Sequence, residues 1–121
     1  MVVKDELEGV LKDLKALGDV EATAIVSKDG LPIAVDLSSG VDAESFAALS
    51  ATILGAAETA MSEVMSGSLD RVIIESEGGK IVATAAGPEA LLVVMTSPNA
   101  KLGLILLKIN KAKKRIMEIL G

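Results

Sequence analysis

Residues 69–97 read LDRVIIESEGGKIVATAAGPEALLVVMTS. Three β-rich runs, 69–76, 80–86 and 90–97, are separated by Glu77-Gly78-Gly79 and Gly87-Pro88-Glu89, connections of hairpin length. The spacing predicts a three-stranded antiparallel meander. Its last run, Leu91-Leu92-Val93-Val94-Met95, is apolar at every position, as expected of a central strand covered on both faces. The first run, with Val72, Ile73 and Ile74, has no Pro and no inward charge to guard an edge, so it must be covered or paired.

Upstream of the meander, Asp42 stands as an N-cap between Val41 and Phe46, and a helix is predicted from there to about Ser66, before Gly67. About 24 residues at the standard rise give a rod of about 36 Å. Ala47, Ala48, Ser50, Ala51, Gly55, Ala56, Ala57 and Ala60 are all small, and Glu44, Glu58 and Glu63 carry its only charges. A surface helix normally devotes one face to charge; here small or apolar residues run nearly all the way round, so more than one face should be covered. One face would pack on the sheet, and another could meet a second helix closely, because small side chains let backbones approach. A chain of this size has little material left to cover that second face itself.

Farther upstream, Val20 to Ser27 and Leu31 to Leu37 flank Lys28-Asp29-Gly30, a hairpin in which Pro32 marks an edge strand or its first residue. Ser38-Ser39-Gly40 is a loop. Val3, Leu7, Val10, Leu11, Leu14 and Leu17 recur at helical spacing, predicting a first helix over roughly 3–17 that ends at Gly18. Downstream, Ser97-Pro98-Asn99 is read as the opening of a final helix, with Pro98 at its first position and a stripe of Leu102, Ile105, Leu106, Ile109, Ala112, Ile116 and Leu120. The expectation is one α/β (α+β) domain over residues 1–121, ordered α-β-β-α-β-β-β-α: a five-stranded, mostly antiparallel sheet with helices on both faces.

Composition narrows function. The 121 residues are 50% hydrophobic and 24% charged, the balance of a folded domain. There is no Cys, hence neither disulfide nor thiolate metal site, and a cytoplasmic setting is expected. The start, Met1-Val2-Val3-Lys4-Asp5-Glu6, lacks a signal peptide's apolar core, and no uncharged stretch approaches the roughly 20 residues of a membrane span. Without His or Cys the usual general bases and thiol nucleophiles are missing, so no enzymatic activity and no cofactor are expected. With Phe46 the sole aromatic residue, base-stacking platforms are missing too, and no nucleic-acid partner is expected.

Motifs that could suggest chemistry are better read as structure. Gly78-Gly79-Lys80 lacks the phosphate-loop spacing and joins two strands. Asp36, Asp42 and Glu44 do not follow a calcium-loop register. Nothing orients Ser97 with Lys101, or Ser27 with Lys28, as nucleophile and base. Met61 and Met65 are either an adaptable contact patch or core filler. Net charge is −5, yet residues 101–121 hold six bases and one acid. Lys108, Lys111, Lys113, Lys114 and Arg115 could attract a membrane surface, a nucleic acid or an acidic partner, but the preferred reading is that they complement the helix dipole beside an acidic first helix.

The element order, the signature Ile25-Val26-Ser27-Lys28-Asp29-Gly30-Leu31-Pro32-Ile33-Ala34 and the helix opening Asn99-Ala100-Lys101-Leu102-Gly103-Leu104-Ile105-Leu106 resemble the Roadblock/dynein light chain family over almost the whole chain. The resemblance implies a homodimer in which the long helices pair and edge strands beginning near Leu69 join two sheets into one. It further implies regulation or scaffolding of a Ras-like small GTPase, with a purely structural light-chain role in a larger assembly as the alternative. By that resemblance the GTPase would meet exposed positions among Ser50, Ile53, Leu54, Ala57, Glu58 and Met61; the dimer and partner surface would also draw on Ala47, Ala51, Arg71 and Ile73. The long helix holds no Arg, so any activation would reshape the GTPase's own site without an arginine finger.

Overall fold

In the computed structural model, residues 2–38, 40–65 and 67–121 are described. The elements are α1 (Val2–Lys15), β1 (Val20–Ser27), β2 (Pro32–Asp36), α2 (Ala43–Val64), β3 (Val72–Ser76), β4 (Gly79–Ala85), β5 (Ala90–Thr96) and α3 (Leu102–Leu120). All four strand pairings are antiparallel and the sheet order is β2-β1-β5-β4-β3. The wholly apolar run is therefore the central strand, and both edges, β2 and β3, are the strands anticipated there. Pro32 opens β2, where its missing N–H costs the ladder nothing.

Alternation along the strands sorts the core into two layers. Ile25, Leu92, Val94 and Val82 point to one face and pack with Leu7, Leu11 and Leu14 of α1 and Ile105, Ile109 and Ile116 of α3. Ala24, Val26, Ala83, Leu91 and Val93 point to the other and meet only α2, through Ala47 and Leu54. Two helices thus cover one face and one helix the other.

Local chemistry sets the boundaries. The Asp42 carboxylate accepts from the Ser45 amide at 3.0 Å and its hydroxyl at 2.6 Å, capping α2; these two bonds, the hydroxyl's first, hold the carboxyl below its ordinary pKa. The expected end of α2 at Ser66 lies outside the described residues, as does Ser39 of the preceding loop; the helix closes at Val64, with the Met65 amide donating to the Met61 carbonyl. Gly78 lies in the β3–β4 hairpin turn and Gly79 opens β4, so Gly78-Gly79-Lys80 is no phosphate loop. Gly79 has φ +150, and a Cβ there would collide with the Thr96 carbonyl oxygen. Pro98 is a correction: it sits in a turn closed by the Ala100 amide on the Ser97 carbonyl at 3.3 Å, and α3 starts only at Leu102. That turn is fastened by the Lys80 ammonium, which donates to the Pro98 carbonyl at 2.8 Å.

Candidate functional site

Side chains of α2 fall into three arcs, because residues three and four apart share a side. Ala47, Ser50 and Leu54, at 1%, 4% and 2% exposure, face the protein's own sheet. Ser50 and Leu54 were expected among the partner-meeting positions and Ala47 in the dimer and partner surface; this is corrected, since all three are buried in the chain's own core. Ile53, Ala57, Glu58, Met61 and Ala51 are half-buried along the flanks. The outward arc consists of Leu49, Thr52, Ala56, Thr59 and Glu63, and Leu49 is 63% exposed. None of these five was named in advance as a partner-meeting position. An amphipathic stripe would have revealed the helix's orientation, but small residues all round erase that signal.

The two flanks differ in their neighbours. Gly30, at φ +89 in the β1–β2 turn, lies so close to α2 that an added Cβ would stand 3.3 Å from the Ala48 Cα and 3.7 Å from the Ala51 Cβ. The flank bearing Ala48, Ala51 and Gly55 therefore faces the β1–β2 end of the sheet. The opposite flank, with Ile53, Ala57 and Ala60, is turned away from that turn.

One helix does not cover this sheet face. Five strands spaced by about 4.8 Å place the outer two about 19 Å apart, whereas a helix with its side chains is about 10–12 Å across. The shortfall is visible at the rims, where Val35, Leu37, Leu69, Val72 and Ile81 are only partly buried. At the β3 rim, Ile73 is 37% exposed opposite Val82, Arg71 directly precedes the strand, and β3 pairs with β4 alone, leaving its outer backbone groups without a strand partner. Because Ile73 pairs with Val82, it lies on the face that α1 and α3 cover, so the structure does not place it on the face of Ile53 and Ala57; that expectation is corrected.

The other helical layer carries the basic residues. The Arg115 guanidinium bonds Glu6 of α1 at 2.9 Å and approaches Glu118 at 3.6 Å. This matches the expectation that α3 lies beside α1. The dipole reading is corrected, because no base occupies the last turn of α3: the cations sit mid-helix, beyond the reach of the terminal partial charge. Between the helices, Val10, Leu14, Leu17 and Ala112 floor an open groove of about 250 Å³ rimmed by Asp13, Lys108, Lys111 and Arg115. Among the described residues, no group of His, Cys, Asp or Glu is arranged to hold a metal ion, and no helix is long and apolar enough to cross a membrane.

The sequence model of the Roadblock/LC7 domain matches residues 6–96. The uncharacterized protein MJ1340 of Methanocaldococcus jannaschii is 37% identical over 110 residues, covering 91% of this chain and 96% of its own. Among solved structures, Myxococcus xanthus MglB superposes with a TM-score of 0.89 at 22% identity, over 96% of this chain and 88% of that one. An MglB structure described as having a tetrameric arrangement gives 0.88 at 17% identity, over 98% and 90%. At these identities the structural likenesses establish the fold, in agreement with the α+β architecture described above.

Proposed function

The chain belongs to the Roadblock/LC7 domain family, and from that premise we propose that it is a homodimeric, non-catalytic protein-binding module that regulates or scaffolds a Ras-like small GTPase. The observation that carries the proposal is the single helix α2 over a sheet face too wide for it, with an unprotected apolar edge at β3. Both deficits are relieved by one operation. If two β3 strands pair antiparallel about a two-fold axis normal to the sheet, the sheets become continuous and both α2 helices lie on the same face. They then meet by the flanks nearest β3, through Ile53, Ala57 and Ala60. The self-association in the name of the tetrameric MglB structure is in keeping with this.

Flank-to-flank pairing leaves the outward arcs free. Leu49, Thr52, Ala56 and Thr59 from both copies then form a shallow platform of small and apolar side chains bordered by Glu63, of the kind that a globular partner covers. With no Arg on α2, the platform would act on a GTPase by holding its switch segments in place, not by inserting a charge into its active site.

The test is affinity capture from lysate of the cell of origin, with a GTP analogue and with GDP. Retention of a small GTPase in one nucleotide state supports regulation. Retention of one large complex in both states, without a GTPase, assigns the structural role instead.

A further inference from the structure

Charge is unevenly shared among the elements. Nine bases and five acids lie on α1, α3 and the adjoining Lys101, whereas three bases and twelve acids make up the rest of the chain. Within the basic layer, the outward side of α3 presents Lys101, Lys111 and Lys114 with the half-exposed Lys108 beside them; no carboxylate lies within ion-pair distance of any of the four among the described residues. Arg115 is the one α3 base engaged by acids. The dipole leaves the mid-helix lysines unexplained, and so does pairing with α1.

Beside these lysines stand two leucines. Leu104 and Leu107 are 51% and 54% exposed, one turn apart. Helical spacing puts Leu104 in line with Lys108 and Lys111, and Leu107 in line with Lys111 and Lys114. The leucines are not part of the core stripe, which runs through Ile105, Ile109, Ala112 and Ile116.

We propose that this face of α3 docks the protein peripherally on an anionic lipid bilayer, with Leu104 and Leu107 entering the headgroup boundary and Lys101, Lys108, Lys111 and Lys114 meeting lipid phosphates. Charge complementarity selects the surface, since lysine-rich helical faces are drawn to anionic leaflets. The leucines select lipid over other polyanions: a bilayer buries apolar side chains beneath its phosphates, whereas duplex nucleic acid has no place for them. Lysine stems are long enough to lie along the apolar boundary while their ammonium groups stay at phosphate level. The acidic remainder of the chain would be repelled from such a surface, so the orientation is unique: α3 toward the membrane, α2 away from it. The inference does not depend on self-association; in a dimer joined at β3, the two basic faces would fall on the same side and act together.

The experiment is co-sedimentation of the purified full chain with vesicles of phosphatidylcholine alone and with added phosphatidylglycerol. It is run at low salt and at about 0.5 M, where the screening length falls to roughly 4 Å. Binding is expected only to the phosphatidylglycerol vesicles and only at low salt. The triple variant Lys108→Gln, Lys111→Gln, Lys114→Gln should lose about fivefold per lysine, roughly a hundredfold in all. The double variant Leu104→Ser, Leu107→Ser should also bind more weakly while retaining the wild-type circular dichroism spectrum, since all five side chains lie outside the core. Equal sedimentation with uncharged vesicles, no sedimentation with anionic ones at low salt, or undiminished binding by the triple variant would each overturn the proposal. A DNA duplex bound as tightly as the anionic vesicles, through the same lysines and indifferent to the leucines, would reassign the face and overturn it as well.

Discussion

Replacing Ala60 by Arg separates the fold of one protomer from the pairing of two. Ala60 is exposed on the flank of α2 opposite the one that Gly30 faces, the flank proposed to meet a second copy. In the single chain the longer side chain extends into solvent, and Arg is nearly as good a helix former as Ala, so protomer stability should change by no more than about 0.5 kcal/mol. In a dimer whose α2 flanks touch, small side chains set axes about 8 Å apart, and an Arg has no room there. Overpacking costs about 1–3 kcal/mol, and two-fold symmetry applies it twice, giving about 2–6 kcal/mol. The dimer dissociation constant should therefore rise from about 30-fold to more than about 10,000-fold. Sedimentation velocity over a concentration series measures that constant, and a dilute circular dichroism melt checks the fold. A variant that dimerises like the wild type would refute flank pairing, and a wild type monomeric at its highest soluble concentration would refute the joined sheet altogether.

Thr52→Arg, placed on the outward arc, should do the reverse: dimerisation persists, while nucleotide-dependent capture of a GTPase falls by at least tenfold, about 1.4 kcal/mol, as read by titration on a biosensor. Gly79→Ala should destabilise the fold by roughly 3 kcal/mol or more in urea unfolding, because the new Cβ meets the Thr96 carbonyl, a backbone atom that cannot swing aside. Asp42 supplies a pH signature. Its carboxyl is held below the ordinary value by the Ser45 hydroxyl and amide, so the cap's contribution is complete above the unfolded carboxylate value of about 3.9 and disappears as pH drops through the lower folded one. Amide exchange in the first turn of α2 should accelerate over that acidic window, and in Asp42→Asn the window should vanish.

Much of the fold was legible because its signals are local and strong. A run of five apolar residues at 91–95 identifies the central strand, Pro32 an edge, and Asp42 a cap, and each was found in the place read for it. The error at Pro98 has a local cause too: Pro suits the first turn of a helix and equally the corner of a tight turn, and the Lys80 bond that selects the turn comes from a residue 18 positions away. The orientation of α2 was illegible for a different reason. Its sheet-facing Ala47, Ser50 and Leu54 and its outward Leu49, Thr52 and Ala56 have the same chemistry, so only the packed sheet distinguishes them. Ala47, Ser50 and Leu54 were accordingly assigned to the wrong side, while Ile53 and Ala57 are half-buried on the flanks.

The same shortage of material accounts for the division of labour between the faces. Three helices cannot cover both sides of a five-stranded sheet equally. Where two of them share a side, α1 and α3 complete the core with leucine and isoleucine stripes, and their outer surfaces are free to carry charge at no cost in packing. Where one helix stands alone, α2 has no base, and Glu44, Glu58 and Glu63 are its only charges. The low charge of α2 and the free lysines of α3 thus match the two proposals made above, a small-residue flank for a second copy and a basic face for an anionic surface.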